Sequence, residues 1–242
     1  MAGKGGKGGR GTSGVRKGSG SRSLHVKVKT ARGRKLSSTR WLQRQLNDPY
    51  VIEAKKLGYR SRAAFKIIEL NEKFGFLKKG KRVLDLGAAP GGWTQVVVEK
   101  VGSTDEDQTQ VIGLDIAEME PLPGARIMLL DFMDSEAPEL IKEALGGPVD
   151  VVLSDMASPA TGHPPTDHLR IMGLVEAALE FAYEVLAKDG VFIAKVFKGG
   201  TENSLLADMK RRFKVVRHAK PPASRPDSAE SYVVATGFKG SE

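Results

Sequence analysis

From residue 82 onward the chain repeats one pattern, a short apolar run followed by a longer stretch with apolar residues at helical spacing. The runs RVLDLG, QVIGLD, RIMLLD, DVVLSD and GVFIAKVF come in that order, and the helical stretches include GWTQVVVEKVG, about Asp167 to Leu186, and Leu205 to Arg212. Near-continuous apolar runs belong to strands buried on both faces, which a mostly parallel sheet covered by helices on two sides provides. The last two runs, KVVRHA and SYVVATGF, are separated only by PPASRPDSAES. That segment is too short and too rich in Pro and Ser for a crossover helix, so an antiparallel hairpin is predicted. The expected fold class is α/β: a mostly parallel seven-stranded sheet with an antiparallel last strand and helices on both faces. Ligands in such sheets sit beyond the carboxyl ends of the strands.

Ahead of the sheet, WLQRQLNDPYVIEAKKLG and SRAAFKIIELNEKFG carry apolar residues at helical spacing, with Ser61 as the expected N-cap of the second helix. Residues 1–40 differ in kind. They hold 12 of the 38 Lys and Arg and no Asp or Glu, leaving 26 basic against 29 acidic residues in the rest. Such a Gly-, Ser-, Lys- and Arg-rich segment buries too little apolar area to offset its ordering entropy. We therefore expect a disordered basic tail over 1–40 and one domain over 41–242. A flexible polycation suits a phosphate-rich partner, although a solubilising terminus would look similar.

The absence of cysteine excludes disulfide frameworks and thiolate chemistry. No run nears the roughly 20 apolar residues of a membrane span, and the N-terminus lacks the apolar stretch of a signal peptide. The expectation is a cytoplasmic protein with no membrane partner.

Asp85-Leu-Gly-Ala-Ala-Pro-Gly-Gly-Trp93 follows the first strand and opens a helix. Glycines at 87, 91 and 92 let the backbone turn sharply and approach a ligand. The spacing is not that of the dinucleotide fingerprint, and no phosphate-binding loop occurs. A nucleoside with an amino-acid moiety fits better than a phosphorylated ligand. Asp115 ends the second strand, where a carboxylate can accept from ribose hydroxyls. Asp131 follows the third, suited to an adenine amino group, and Asp155 ends the fourth, near the expected reactive centre. Singly, each aspartate reads equally well as a turn or cap residue, and Trp93 equally well as a core aromatic; it is the joint placement that points to a site.

Residues 41–239 resemble the FtsJ-type heat-shock ribosomal RNA large-subunit uridine 2'-O-methyltransferase family. The matching segments are RWLQRQLNDPYV, GYRSRAAFKIIEL, VLDLGAAPGGWTQVV, LSDMAS, FIAKVFKG and SYVVATGFK. The resemblance implies a Rossmann-like fold and S-adenosylmethionine as methyl donor, held by Gly91, Trp93, Asp115, Asp131 and Asp155. It further implies a catalytic tetrad of Lys66, Asp155, Lys195 and Glu230. Read without the family, Lys66 would be a solvated helix residue and Lys195 a lysine at a strand end. Lys195 lies between Ala194 and Val196, however, and a buried ammonium must be paired or neutral.

A ribose 2'-hydroxyl must lose its proton to become a good nucleophile, while a methylsulfonium is already electrophilic. Alignment can supply much of the rate. We assign Lys195 as general base beside the oxygen, Lys66 and Glu230 as the groups that hold it and the ribose, and Asp155 as the bridge to the cofactor. A base at neutral pH needs its pKa lowered by about 3 units; a charged Lys195 would instead stabilise the developing alkoxide. No metal is implied, since His25, His163, His168 and His218 lack ligand spacing.

Arg44, Lys55, Lys56, Arg60 and Arg62 form an expected basic surface leading to Lys66, suited to an RNA backbone or merely solvated. The loop Ser158 to Pro165 is expected over the target nucleotide, though it lacks the asparagine of the family pattern. The partners implied are ribosomal RNA and the large ribosomal subunit, with the enzyme a monomer. Transfer RNA is an alternative substrate, and an RNA-binding assembly factor an alternative function. An mRNA cap is disfavoured by the 6% aromatic content.

Overall fold

A computed structural model describes residues 33, 35–104, 109–159, 161–197 and 203–240, with backbone only at 37, 40 and 41. Most of the expected basic tail, residues 1–32 and 34, lies outside the described residues, as does Lys198-Gly199-Gly200. The chain divides into two units, Met1–Asn47 and Asp48–Glu242. Within the first, the described element is helix α1 (Leu36–Leu46), which spans the expected domain boundary at 40/41.

The second unit opens with α2 (Pro49–Leu57). The segment 41–58, expected as one helical stretch, is thus two helices. Proline at N1 cannot continue a preceding helix but starts a new one well, and the Asp48 carboxylate caps it by accepting from the Tyr50 N–H at 3.0 Å. Helix α3 (Ala63–Phe74) follows, with Arg62 as N-cap and no side-chain cap bond. Ser61 is therefore not the cap expected: its hydroxyl is buried without a hydrogen-bond partner, against the Cα of Gly92, where an added Cβ would lie 2.2 Å from that oxygen.

The remaining elements are β1 (Val83–Leu86), α4 (Gly92–Val101), β2 (Val111–Asp115), β3 (Ala125–Leu129), α5 (Ala137–Leu145), β4 (Val149–Ser154), α6 (Pro164–Val185), β5 (Leu186–Phe197), α7 (Asn203–Arg212), β6 (Phe213–Ala219) and β7 (Glu230–Phe238). The strands form one seven-stranded sheet in the order β3-β2-β1-β4-β5-β7-β6. The pairs β1–β2, β1–β4, β2–β3 and β4–β5 are parallel, whereas β7 runs antiparallel to both β5 and β6. The sheet is as the apolar pattern predicted, including the terminal hairpin.

Side chains alternate across each strand. Leu84, Leu86, Val152, Phe192, Ala194 and Val233 pack on the face covered by α5, α6 and α7. Val83, Val151, Leu153, Ile193, Tyr232 and Val234 pack on the other, under α3 and α4. The same period of two puts Lys195 on the α3/α4 face, two residues beyond Ile193. No helix among the described residues is long and apolar enough to cross a membrane.

Candidate active site

Parallel pairing of β4 and β5 sets Ser154 beside Ala194, so the next residues, Asp155 and Lys195, lie side by side where β4 ends and β5 continues. The Lys195 ammonium donates to the Asp155 backbone carbonyl at 2.6 Å and lies 3.2 Å from the same residue's Oδ1. It is only 8% exposed, and burial makes such pairing obligatory. From the other side, antiparallel pairing sets Lys195 opposite Tyr232 and Phe197 opposite Glu230.

Glu230 uses both carboxylate oxygens. Oε2 accepts from the Lys66 Nζ at 2.7 Å, and Oε1 from the Ser224 hydroxyl at 2.8 Å. Tyr232 joins the two ion pairs: its hydroxyl donates to Asp155 Oδ1 at 3.0 Å, and the Lys66 Nζ stands 5.8 Å from its ring centroid. Burial pushes the Tyr232 phenol far up from its ordinary range, and the Asp155 and Glu230 carboxylates add to it. The phenol thus stays a donor. The structure brings Lys66, Asp155, Lys195 and Glu230 into one cluster, with Tyr232 at its centre.

Beside the cluster, at the carboxyl ends of β1, β2 and β4, lies a cavity of about 270 Å³ lined by residues that include Gly87, Asp115, Asp131, Phe132, Met156 and Ser158. Asp115 is oriented by the loops it joins, Oδ2 accepting from the Ala89 N–H at 2.9 Å and Oδ1 from the Ala117 N–H at 2.9 Å. Asp131 Oδ1 accepts from the Met133 N–H at 2.9 Å. Both carboxylates keep acceptor capacity for a ligand's hydroxyl or amino groups. Gly87 has φ +80°, and a Cβ there would meet the Met156 backbone nitrogen at 2.8 Å; only glycine lets these two loops approach.

Gly91 and Trp93 stand elsewhere, at the start of α4 and not in the cavity wall. Gly91 (φ +103°) lies under the Arg60 guanidinium, whose Nη1 an added Cβ would meet at 2.8 Å. Trp93 is 3% exposed, donates its indole N–H to the Ala63 carbonyl at 2.9 Å and packs against Tyr232 with ring centroids 5.6 Å apart.

Sequence reasoning passed over Tyr232 and Asp85. Asp85 is fully buried; Oδ2 accepts from the Thr94 hydroxyl at 2.7 Å, and Oδ1 has no partner. Burial pushes its carboxyl up to about 7, against the Thr94 bond and helped by the Asp155 and Asp115 charges. An aspartate inside the apolar run VLDL was the signal that could have found it.

The expected basic surface is changed. Arg60 donates to the Glu120 and Pro121 carbonyls, both at 2.7 Å. Arg62 pairs with Asp48 at 3.0 Å and donates to the Ala223 carbonyl. Both guanidiniums are committed within the fold, because each finds acceptors on loops packed against the start of α3. Lys55 and Lys56 remain exposed.

The model of the FtsJ-like methyltransferase family matches residues 59–238. The chain is 67% identical over 231 residues, 95% of each chain, to the ribosomal RNA large subunit methyltransferase E of Paramagnetospirillum magneticum. It is 62% identical to the protein of the same name from Rhodospirillum rubrum, over 91% of this chain and 84% of that one. Among solved structures, a ribosomal RNA methyltransferase from Plasmodium falciparum is 33% identical with a TM-score of 0.67, covering 76% of this chain and 100% of that chain. Sequence, sheet order and similarity to these proteins agree, and the chain belongs to the FtsJ-like methyltransferase family.

Proposed function

We propose that this enzyme transfers the methyl group of S-adenosylmethionine to the 2'-hydroxyl of a uridine ribose in large-subunit (23S) ribosomal RNA, in the assembled or nearly assembled subunit. The observation that carries the reading is the convergence of the pairs Lys66–Glu230 and Lys195–Asp155 next to a cavity lined by two carboxylates. The names of the relatives at 62–67% identity support the substrate class.

The cavity fits the cofactor in kind: a glycine at which a Cβ would collide with the Met156 backbone, and carboxylate acceptors with no Lys or Arg among the described lining residues, which suits a ligand without phosphate. Asp115 would hold the ribose hydroxyls and Asp131 the adenine amino group, with Asp155 beside them at the end of β4; Gly91 and Trp93, outside the cavity wall, would act by shaping the start of α4 behind the loop that carries Gly87. Bound S-adenosylmethionine supplies an electrophilic methyl group. An ammonium has three N–H donors, and Lys195 directs two toward Asp155. In the remaining direction a neutral Lys195 would present its lone pair and take the proton of the substrate hydroxyl as general base, whereas a charged one would present its third N–H and stabilise the developing alkoxide. Lys66 and Glu230 hold the ribose and fix its approach. The enzyme would act as a monomer in the cytoplasm, without a metal.

The test is methyl transfer from labelled S-adenosylmethionine to large subunits, free ribosomal RNA and transfer RNA from cells lacking the enzyme, with mapping of the modified ribose. Lys195-dependent label on one large-subunit uridine 2'-oxygen is expected. Label confined to transfer RNA would overturn the substrate assignment, and cofactor binding without any transfer would favour an assembly factor.

A further inference from the structure

Arg62, the N-cap of α3, and Lys66 and Glu69 within it have the i, i+4, i+7 spacing that aligns helical side chains on one face. Arg62 and Glu69 reach the segment between β6 and β7, and Lys66 the first residue of β7. Lys66 meets Glu230, as described. Glu69 Oε2 accepts the Ala223 N–H at 2.7 Å, and the Arg62 guanidinium donates to the Ala223 carbonyl. Ala223 is thus held at both its backbone polar groups by the helix that carries Lys66.

Each arm of this clamp is itself braced. Glu69 Oε1 accepts from the Tyr50 hydroxyl at 3.1 Å. Arg62 pairs with Asp48 at 3.0 Å and lies 5.5 Å above the Tyr50 ring centroid. One residue beyond the clamped alanine, Ser224 donates to Glu230 Oε1 at 2.8 Å. Ala223 and Ser224 are 0% and 4% exposed, so water cannot substitute for a missing partner without a change of packing.

We propose that Arg62 and Glu69 are positioning residues of the methyl-transfer site. By fixing Ala223 they place Ser224, through Ser224 they orient the Glu230 carboxylate, and through Glu230 they set where the Lys66 ammonium stands. The clamp touches neither the cofactor cavity nor the reacting atoms. The inference rests on the assignment of Lys66 and Glu230 to the reaction, and its test separates the two.

Glu69→Ala is compared with Tyr50→Phe, which removes the other hydrogen bond to Glu69 and leaves Ala223 held. The readouts are the single-turnover transfer rate at saturating cofactor and RNA, the cofactor Kd and the melting temperature. Glu69→Ala is expected to slow transfer about tenfold to a hundredfold, the scale of a misplacement near one ångström, with the cofactor Kd unchanged. Tyr50→Phe should stay within about twofold of the parent rate while lowering the melting temperature. Groups acting along one chain of contacts are non-additive, so Glu69→Ala should cost no further rate in a Glu230→Gln background. Parent-level transfer by Glu69→Ala, equal losses in Glu69→Ala and Tyr50→Phe, or full additivity with Glu230→Gln would each overturn the clamp. Lys66→Ala distinguishes the levels: parent-level transfer by it removes the catalytic reading and the clamp together, whereas an inactive Lys66→Ala beside a fully active Glu69→Ala removes the clamp alone.

Discussion

Lys195 and Tyr232 face each other across the antiparallel β5–β7 pairing and converge on the same acceptor, Asp155 Oδ1, at 3.2 and 3.0 Å. The phenol therefore fixes the carboxylate that fixes the ammonium. Tyr232→Phe removes one donor to a charged acceptor without changing the shape of the core, which costs about 1.5–3 kcal/mol in stability. Urea denaturation should register that loss, and transfer should slow several-fold with the ribosomal RNA KM little changed.

Asp85 predicts a pH dependence with a definite sign. Its folded-state pKa, about 7, lies above the ordinary value of 3.8. The unfolded chain gives up this proton first, so stability is lost as pH rises from about 4 to about 7 and stays lost above. The full effect is on the order of 4 kcal/mol. Asp85→Asn cannot ionise, and its unfolding free energy relative to the parent should move in its favour between pH 4 and pH 8. A constant difference would mean that Asp85 is ionised in the folded protein throughout.

Gly87→Ala tests the cavity wall. Its φ of +80° strains any side chain, and the Cβ would meet Met156 N and Cα at 2.8 and 2.9 Å. Both neighbours are backbone and cannot rotate away. We expect cofactor affinity to fall at least about tenfold, equivalent to about 1.4 kcal/mol, in a calorimetric titration with S-adenosylmethionine. Gly146, also at positive φ but with nothing within 4 Å of its Cβ position, is the control for strain alone.

Of the five basic residues expected to face RNA, Arg60 and Arg62 are committed within the fold, and on the proposed function the exposed Lys55 and Lys56 are the pair to test. Each lysine–phosphate pairing removed lowers the slope of log Kobs against log salt by about 0.7–0.9. Lys55→Ala with Lys56→Ala should therefore flatten the slope for ribosomal RNA by about 1 to 2. Arg60→Ala should leave that slope in place and weaken cofactor binding instead, since its guanidinium ties Glu120 and Pro121 over Gly91.

The sheet was legible because its central strands β1, β2 and β4 are apolar on both faces and because PPASRPDSAES leaves no room for a crossover helix. The carboxylates at the strand ends were legible from the same pattern: parallel topology alone puts the ends of β1, β2, β3 and β4 at one edge. What joins Lys66 to Glu230 was not, since 164 positions separate them and no local spacing encodes the contact; it came from family resemblance. Tyr232 was passed over because its neighbours across the sheet depend on register. Ser61 and the division between α1 and α2 were misjudged at helix ends, where Pro49 and the packing of Gly92 outweighed apolar periodicity.

The insertion of β7 between β5 and β6 also bears on the order in which the protein matures. The cavity draws its lining from residues 87–174, whereas Glu230 reaches Lys66 only when the final hairpin has docked. Contacts of such long sequence separation are the slow ones to form. On the proposed function, methyl transfer is consequently a late reporter of folding: the residues that line the cavity all precede the last two strands, but Lys66 has no Glu230 to meet until β7 is in place, so regained activity after denaturation would mark the arrival of β7 and not the collapse of the core.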